Sequence, residues 1–142
     1  MKILVRVSLL AGLLGVSVPV LAEKDVKAVH PVDIKYQACQ EKAVSTVDIR
    51  ECIGNAAAEW DKVLNEQYRQ LLKNQPAEVV EALRKSQRAW LAYRDSYQEA
   101  VVALYGQNEG TIWPVIMGDT MLQFVRDKAL SLQQLNDQQK LD

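Results

Sequence analysis

The chemistry this chain offers is concentrated in one stretch, Gln87-Arg88-Ala89-Trp90-Leu91-Ala92-Tyr93-Arg94-Asp95. A guanidinium beside a carboxylate and two aromatic rings makes a recognition group: the planar fork of arginine holds carboxylates, and Trp, Tyr and Arg anchor protein interfaces. Bond-breaking chemistry finds little support. The only histidine, His30, stands alone beside Pro31, so no Ser/His/Asp arrangement exists. No Cys/His cluster at metal-ligand spacing occurs. Gly106 and Gly110 bracket a helix–helix turn instead of forming a phosphate loop. Carboxylates are plentiful (Glu51, Glu59, Glu66, Glu81, Asp95, Glu99, Asp119), but the charged face of a helix supplies those anyway. An enzyme would need a cleft with paired, perturbed carboxylates, for instance around Glu99 and Asp119. The expectation is a non-catalytic protein with no metal and no cofactor.

Two uses of the stretch are open. It reads as helix, with Val80, Leu83, Gln87, Trp90/Leu91, Arg94, Tyr97/Gln98 and Val101 along one stripe, so Gln87 and Arg94 fall where apolar residues belong. Buried polar groups are costly unless each finds a partner. In the first use Arg94 is a half-buried hub that fixes packing, with Trp90 beside it and Asn65, Tyr68 and Arg126 as network partners. In the second, Trp90, Tyr93, Arg94 and Asp95 form a recognition patch. Asn65, in mid-helix, is expected to bond a neighbouring helix or loop.

The elements that must position these residues are helices. Asp33 is suited to cap a short first helix ending near Val44, and Thr46 a second running from Val47 to about Asn74, with the stripe Cys52, Ala56, Trp60, Val63/Leu64, Gln67/Tyr68, Leu71. Pro76 fits the first turn of a third helix, capped by Asn74 or Gln75 and ended by Gly106. Thr111 opens a fourth, with Pro114 in its first turn and the stripe Val115, Gly118, Leu122, Val125, Ala129, Leu132. No segment shows strand alternation. The expected fold is all-α: a compact bundle of three long helices plus a short N-terminal one.

The first 22 residues read as a secretory signal. Lys2 and Arg6 start it, Leu9 to Val20 is mostly apolar and uncharged, and Val20-Leu21-Ala22 presents small residues where a signal peptidase reads. The apolar run falls short of the ~20 residues of a membrane span, so no stable anchor is expected after cleavage near Ala22. Residues 23–32 read as a flexible leader, 33–136 as one domain and 137–142 as a frayed tail. Removing Lys2 and Arg6 from the 17 basic residues leaves 15 against 18 acidic ones, a net charge of −3. That argues against nucleic acid, which selects a basic face. In an exported chain Cys39 and Cys52 point to a disulfide, with free thiols as the runner-up.

These pieces together resemble the lysozyme inhibitor LprI-type N-terminal domain family, over about Cys39 to Leu135. The matching elements are Cys39 and Cys52, Leu64-Asn65-x-x-Tyr68, Gln87-Arg88-Ala89-Trp90-Leu91-x-Tyr93-Arg94-Asp95, Gly110-Thr111 and Leu122-x-x-x-Arg126. The resemblance implies an exported, helical, disulfide-containing bacterial domain that inhibits lysozyme. Its partner would be lysozyme or another cationic periplasmic hydrolase. An immunity protein against a delivered toxin, or an envelope factor binding a cell-wall ligand, are the alternatives. Relatives often carry a second cysteine pair, whose places here are Tyr97 and approximately Gly118. The expectation is that Tyr97 lies over Gly118 and fills that space.

Overall fold

The computed structural model describes residues 29–140. The segment read as a signal, and residues 23–28 of the leader, lie outside the described residues. Four helices follow one another: α1 (Pro31–Gln40), α2 (Thr46–Leu71), α3 (Ala77–Tyr105) and α4 (Ile112–Gln138). No strand occurs among the described residues. The all-α architecture of three long helices and one short one is therefore as expected.

The helix ends differ from expectation in instructive ways. His30, not Asp33, caps α1: its Nδ1 accepts the Val32 N–H at 3.2 Å, with Pro31 in the first turn, where its missing N–H costs nothing. The helix thus begins inside the segment read as a leader. Ser45, not Thr46, caps α2 by accepting the Asp48 N–H at 3.1 Å. Between α2 and α3 the chain reverses through Asn74 at φ +58°, a left-handed conformation that asparagine tolerates better than most residues. Pro76 precedes α3 without a side-chain cap, and Thr111 sits at the start of α4 without donating or accepting a capping bond. At its far end α4 runs on past Asn136, which was read as the last residue before a fraying tail. Asn136 is buried and donates to the Gln67 carbonyl at 2.9 Å and to Gln67 Oε1 at 2.8 Å, so the last turn of α4 is fastened to α2.

α2 and α4 form the main interface, and they run in the same direction. Ile53 meets Gly118, Trp60 meets Arg126, and Gln67 meets Asn136. Their apolar stripes make the core: Ile53, Ala56, Trp60, Leu64 and Leu71 from one helix, Leu122, Ala129 and Leu132 from the other. Gly118 is where the two approach closely, because a Cβ there would stand 3.2 Å from Ile53 Cγ2. α1 lies on α2 and is tied to it by the Cys39–Cys52 disulfide, with a Cα–Cα separation of 5.7 Å. It also reaches α4. The Tyr36 hydroxyl donates to Asp119 Oδ1 at 3.0 Å, and its pKa is pushed up to about 12, first by burial and then by that carboxylate.

α3 is the return stroke. It runs antiparallel to α4 and packs on it alone; α2 and α3 nowhere approach within 8 Å, Cα to Cα. Its stripe is the expected one, with Val80, Leu83, Gln87, Trp90, Arg94 and Tyr97 half-buried and Val101 buried. The space left between α2 and α3 is a groove floored by α4.

Candidate functional site

The residues singled out from sequence do not form one network. They fall into three places, and the division follows from which helix faces meet.

The first place is the α3–α4 seam. The only phenylalanine of the chain, Phe124 on α4, collects three rings from α3: Tyr97 stacked at 4.9 Å, Tyr93 edge-on at 5.3 Å and Trp90 stacked at 5.8 Å between centroids. Rings at i, i+3 and i+7 share a helix face, so one phenylalanine can organise them all. Trp90 is also bracketed by two cations, with Arg94 Cζ at 5.7 Å and Lys128 Nζ at 5.9 Å from its ring centroid. Partial burial lowers the Lys128 pKa. Arg94 donates Nε and Nη2 to Asp95 Oδ1, both at 3.2 Å, and Asp95 itself faces solvent. Tyr93 is 57% exposed. The seam is thus a packing device; Tyr93 emerges beside it, while Asp95, two positions on, emerges on the opposite flank of α3 with Arg94 between them. Phe124 and Lys128 were not identified from sequence; their positions on α4 flank the predicted stripe, which marks a face but not its partner.

Gln87 answers the question that its place on the stripe raises. Its Oε1 is enclosed and accepts no hydrogen bond from the protein. An unsatisfied buried acceptor is a cost, so Gln87→Met, which keeps the length and removes the polar atoms, should raise stability by about 1 kcal/mol. Urea unfolding measures this directly; a lowered midpoint would mean that Oε1 has a partner.

The second place joins α1, α2 and α4. Arg126 Nε and Nη2 donate to Asp33 at 2.6–3.1 Å, a bidentate pair with side chains only 29% and 20% exposed. The guanidinium also lies over Trp60, 5.4 Å from its ring centroid, and the His30 ring packs tilted against the same indole at 4.3 Å. The Arg126 hydrogen bonds hold the Asp33 carboxyl below the usual carboxylate range, against the opposing effect of burial. Arg126 therefore belongs to a structural clamp on α1 and does not join Arg94, as had been expected.

The third place is α2 itself. Asn65 is exposed and bonds its own helix, donating to the Asp61 carbonyl at 2.9 Å and to Asp61 Oδ2 at 3.0 Å, not a neighbouring helix or loop. Tyr68 packs half-buried against the core. Neither hydrogen-bonds or ring-stacks with the α3 residues. The two carboxylates weighed for acid–base work also stay apart: Asp119 faces Tyr36 of α1, while Glu99 is on the outer side of α3. The Tyr97–Gly118 expectation fails as well. Tyr97 is committed to Phe124, and the only side chain within 4 Å of a Cβ built on Gly118 is Ile53. The parallel α2–α4 packing brings Ile53, and not the α3 tyrosine, against that glycine.

Three comparisons bear on what this assembly is. The chain is 28% identical over 107 residues to an uncharacterised protein of Rhizobium meliloti (strain 1021), covering 66% of this chain and 76% of that one. It is similar to the crystal structure of an uncharacterised protein from Burkholderia thailandensis, with a TM-score of 0.72 and 30% identity. That match covers 78% of this chain but 55% of the other, so this chain spans about half the length of that solved relative. The family model described as lysozyme inhibitor LprI matches residues 38–132, a span that holds both cysteines, the α3 signature and Arg126. The chain belongs to the lysozyme inhibitor LprI family.

Proposed function

We propose that this chain is an exported, non-catalytic binding protein that inhibits lysozyme-type peptidoglycan hydrolases by covering their substrate cleft. Family membership across residues 38–132 carries the reading. Two physical features support it. The chain outside the first 22 residues has a net charge of −3, and lysozymes are typically cationic, so long-range attraction would speed encounter. The exposed flanks of α3 offer Tyr93, Arg94 and Asp95, residue types that anchor protein–protein contacts, on a helix held from one side only.

The test is inhibition of cell-wall lysis by the purified oxidised protein, across chicken-type and invertebrate-type lysozymes and bacterial muramidases. Dose-dependent inhibition that weakens as salt rises is expected, since the steering is screened over about 10 Å at 0.1 M ionic strength. Absence of inhibition throughout the panel would reduce the family relationship to one of fold.

A further inference from the structure

Gly54 has no structural justification within the fold. It lies in the third turn of the 26-residue α2, where glycine is a much poorer helix former than alanine. Its φ is not positive, so the backbone does not require it. Packing does not require it either: a Cβ built there meets nothing within 4 Å. Gly118 is the contrast, because Ile53 explains it. A bare stretch of helix facing open space is what a visiting chain could use for close approach.

That open space is the groove between α2 and α3, about 440 Å³, with Gly118, Met121 and Leu122 of α4 along its floor, Gly54 in its α2 wall, and Arg50 and Arg94 on opposite sides. Its lining contains no carboxylate. Arg50 and Arg94 are the only charged groups of this lining. Arg50 forms no salt bridge among the described residues. Arg94 spends Nε and Nη2 on an Asp95 that stands outside the lining, and the rest of its fork remains available.

We propose that this groove docks a segment of a partner protein that presents a carboxylate beside apolar side chains. The carboxylate is held by Arg50 and Arg94, and an apolar neighbour lies against the bare backbone of Gly54. A small anion alone would leave the Met121 and Leu122 floor unused, which is why the occupant is a peptide segment. The groove stands on its own observations; naming the segment's owner as a hydrolase rests on the inhibitory reading above.

The probe is the peptide acetyl-Leu-Asp-Leu-amide, titrated into the 15N-labelled oxidised protein to about 10 mM, a range that reports millimolar dissociation constants. The Gly54 and Gly118 amide signals should move with the aspartyl peptide, and the asparaginyl analogue should bind at least tenfold more weakly. Gly54→Leu should abolish the response. Because leucine is the better helix former and its Cβ meets nothing within 4 Å, this variant should melt no lower than the parent; its melting temperature, measured alongside, separates failure to bind from unfolding. Arg50→Glu should also abolish it. No shift with the aspartyl peptide, equal shifts with the asparaginyl one, the same shifts with acetate alone, or a normal response in Gly54→Leu would each overturn the groove assignment. A peptide response without inhibition of any lysozyme would support the groove and retire the inhibitory reading. Lysozyme inhibition that survives in Gly54→Leu would overturn the assignment of the segment to a hydrolase.

Discussion

Trp60→Ala should cost about 3–5 kcal/mol of folding stability, the range for truncating a large buried aromatic. Trp60 is 1% exposed and lies where three helices meet. Its indole meets both the Arg126 guanidinium and the His30 ring, and its body fills the α2–α4 core. Truncation would leave a cavity and also remove the surface against which the Asp33–Arg126 pair is held. A domain of this size has only about 5–15 kcal/mol in total, so the loss would be a large fraction of it. The melting temperature followed by helical circular dichroism should fall by more than 10 °C or so. Trp60→Phe, which keeps a ring, should fall much less. A change below about 1 kcal/mol in the alanine variant would show that the three-helix junction collapses to fill the gap, and that the core is centred elsewhere.

Replacing both cysteines by serine should cost about 3 kcal/mol, the chain-entropy value for a loop of this size. Cys39 and Cys52 are separated by 13 positions, and the bond joins the last turn of α1 to the second turn of α2. Without it, α1 is held by His30, by the Asp33–Arg126 pair and by Tyr36 on Asp119. These contacts are spread along the helix, so the double variant should still fold, with a lower urea midpoint. Reducing the parent protein with dithiothreitol should give the same midpoint. An unchanged midpoint in both would mean that the non-covalent clamp alone sets the position of α1. The α3 seam and the groove do not involve α1, so binding below the melting transition should persist in the double variant.

The helices themselves were legible because apolar residues recur at three-to-four spacing and Pro76, Gly106 and Pro114 punctuate them. Val80 to Val101 on α3, and Val115 to Leu132 on α4, occupy the faces that the spacing assigns. The same α4 spacing, carried four residues further, would have reached Asn136, but an asparagine in a polar stretch reads as an end. His30 was misjudged for a similar reason: a His-Pro pair before a helix is also the pattern of a cap followed by a first-turn proline.

The site was less legible because periodicity names a face without naming its partner. Arg126 and Arg94 share a signature in sequence, yet Arg126 finds Asp33, 93 residues away, and Arg94 finds its immediate neighbour. Tyr97 and Gly118 straddle the same turn, yet each is taken by a different residue. The groove could not be read from sequence, because it exists only since α3 packs on α4 and stands off from α2. Gly54 carries no signal in the sequence beyond a glycine inside a helix; the open space above it belongs to the tertiary arrangement.

The proposed function is that this member of the LprI family blocks a lysozyme-type hydrolase through direct contact, without chemistry. Its most direct test is a lysis assay with the oxidised protein against the lysozyme panel, read together with binding measured on the same samples. The account requires stoichiometric, reversible inhibition that tracks complex formation and declines with added salt. Full hydrolase activity at protein concentrations far above those of the enzymes, with no complex detected for any of them, would contradict it.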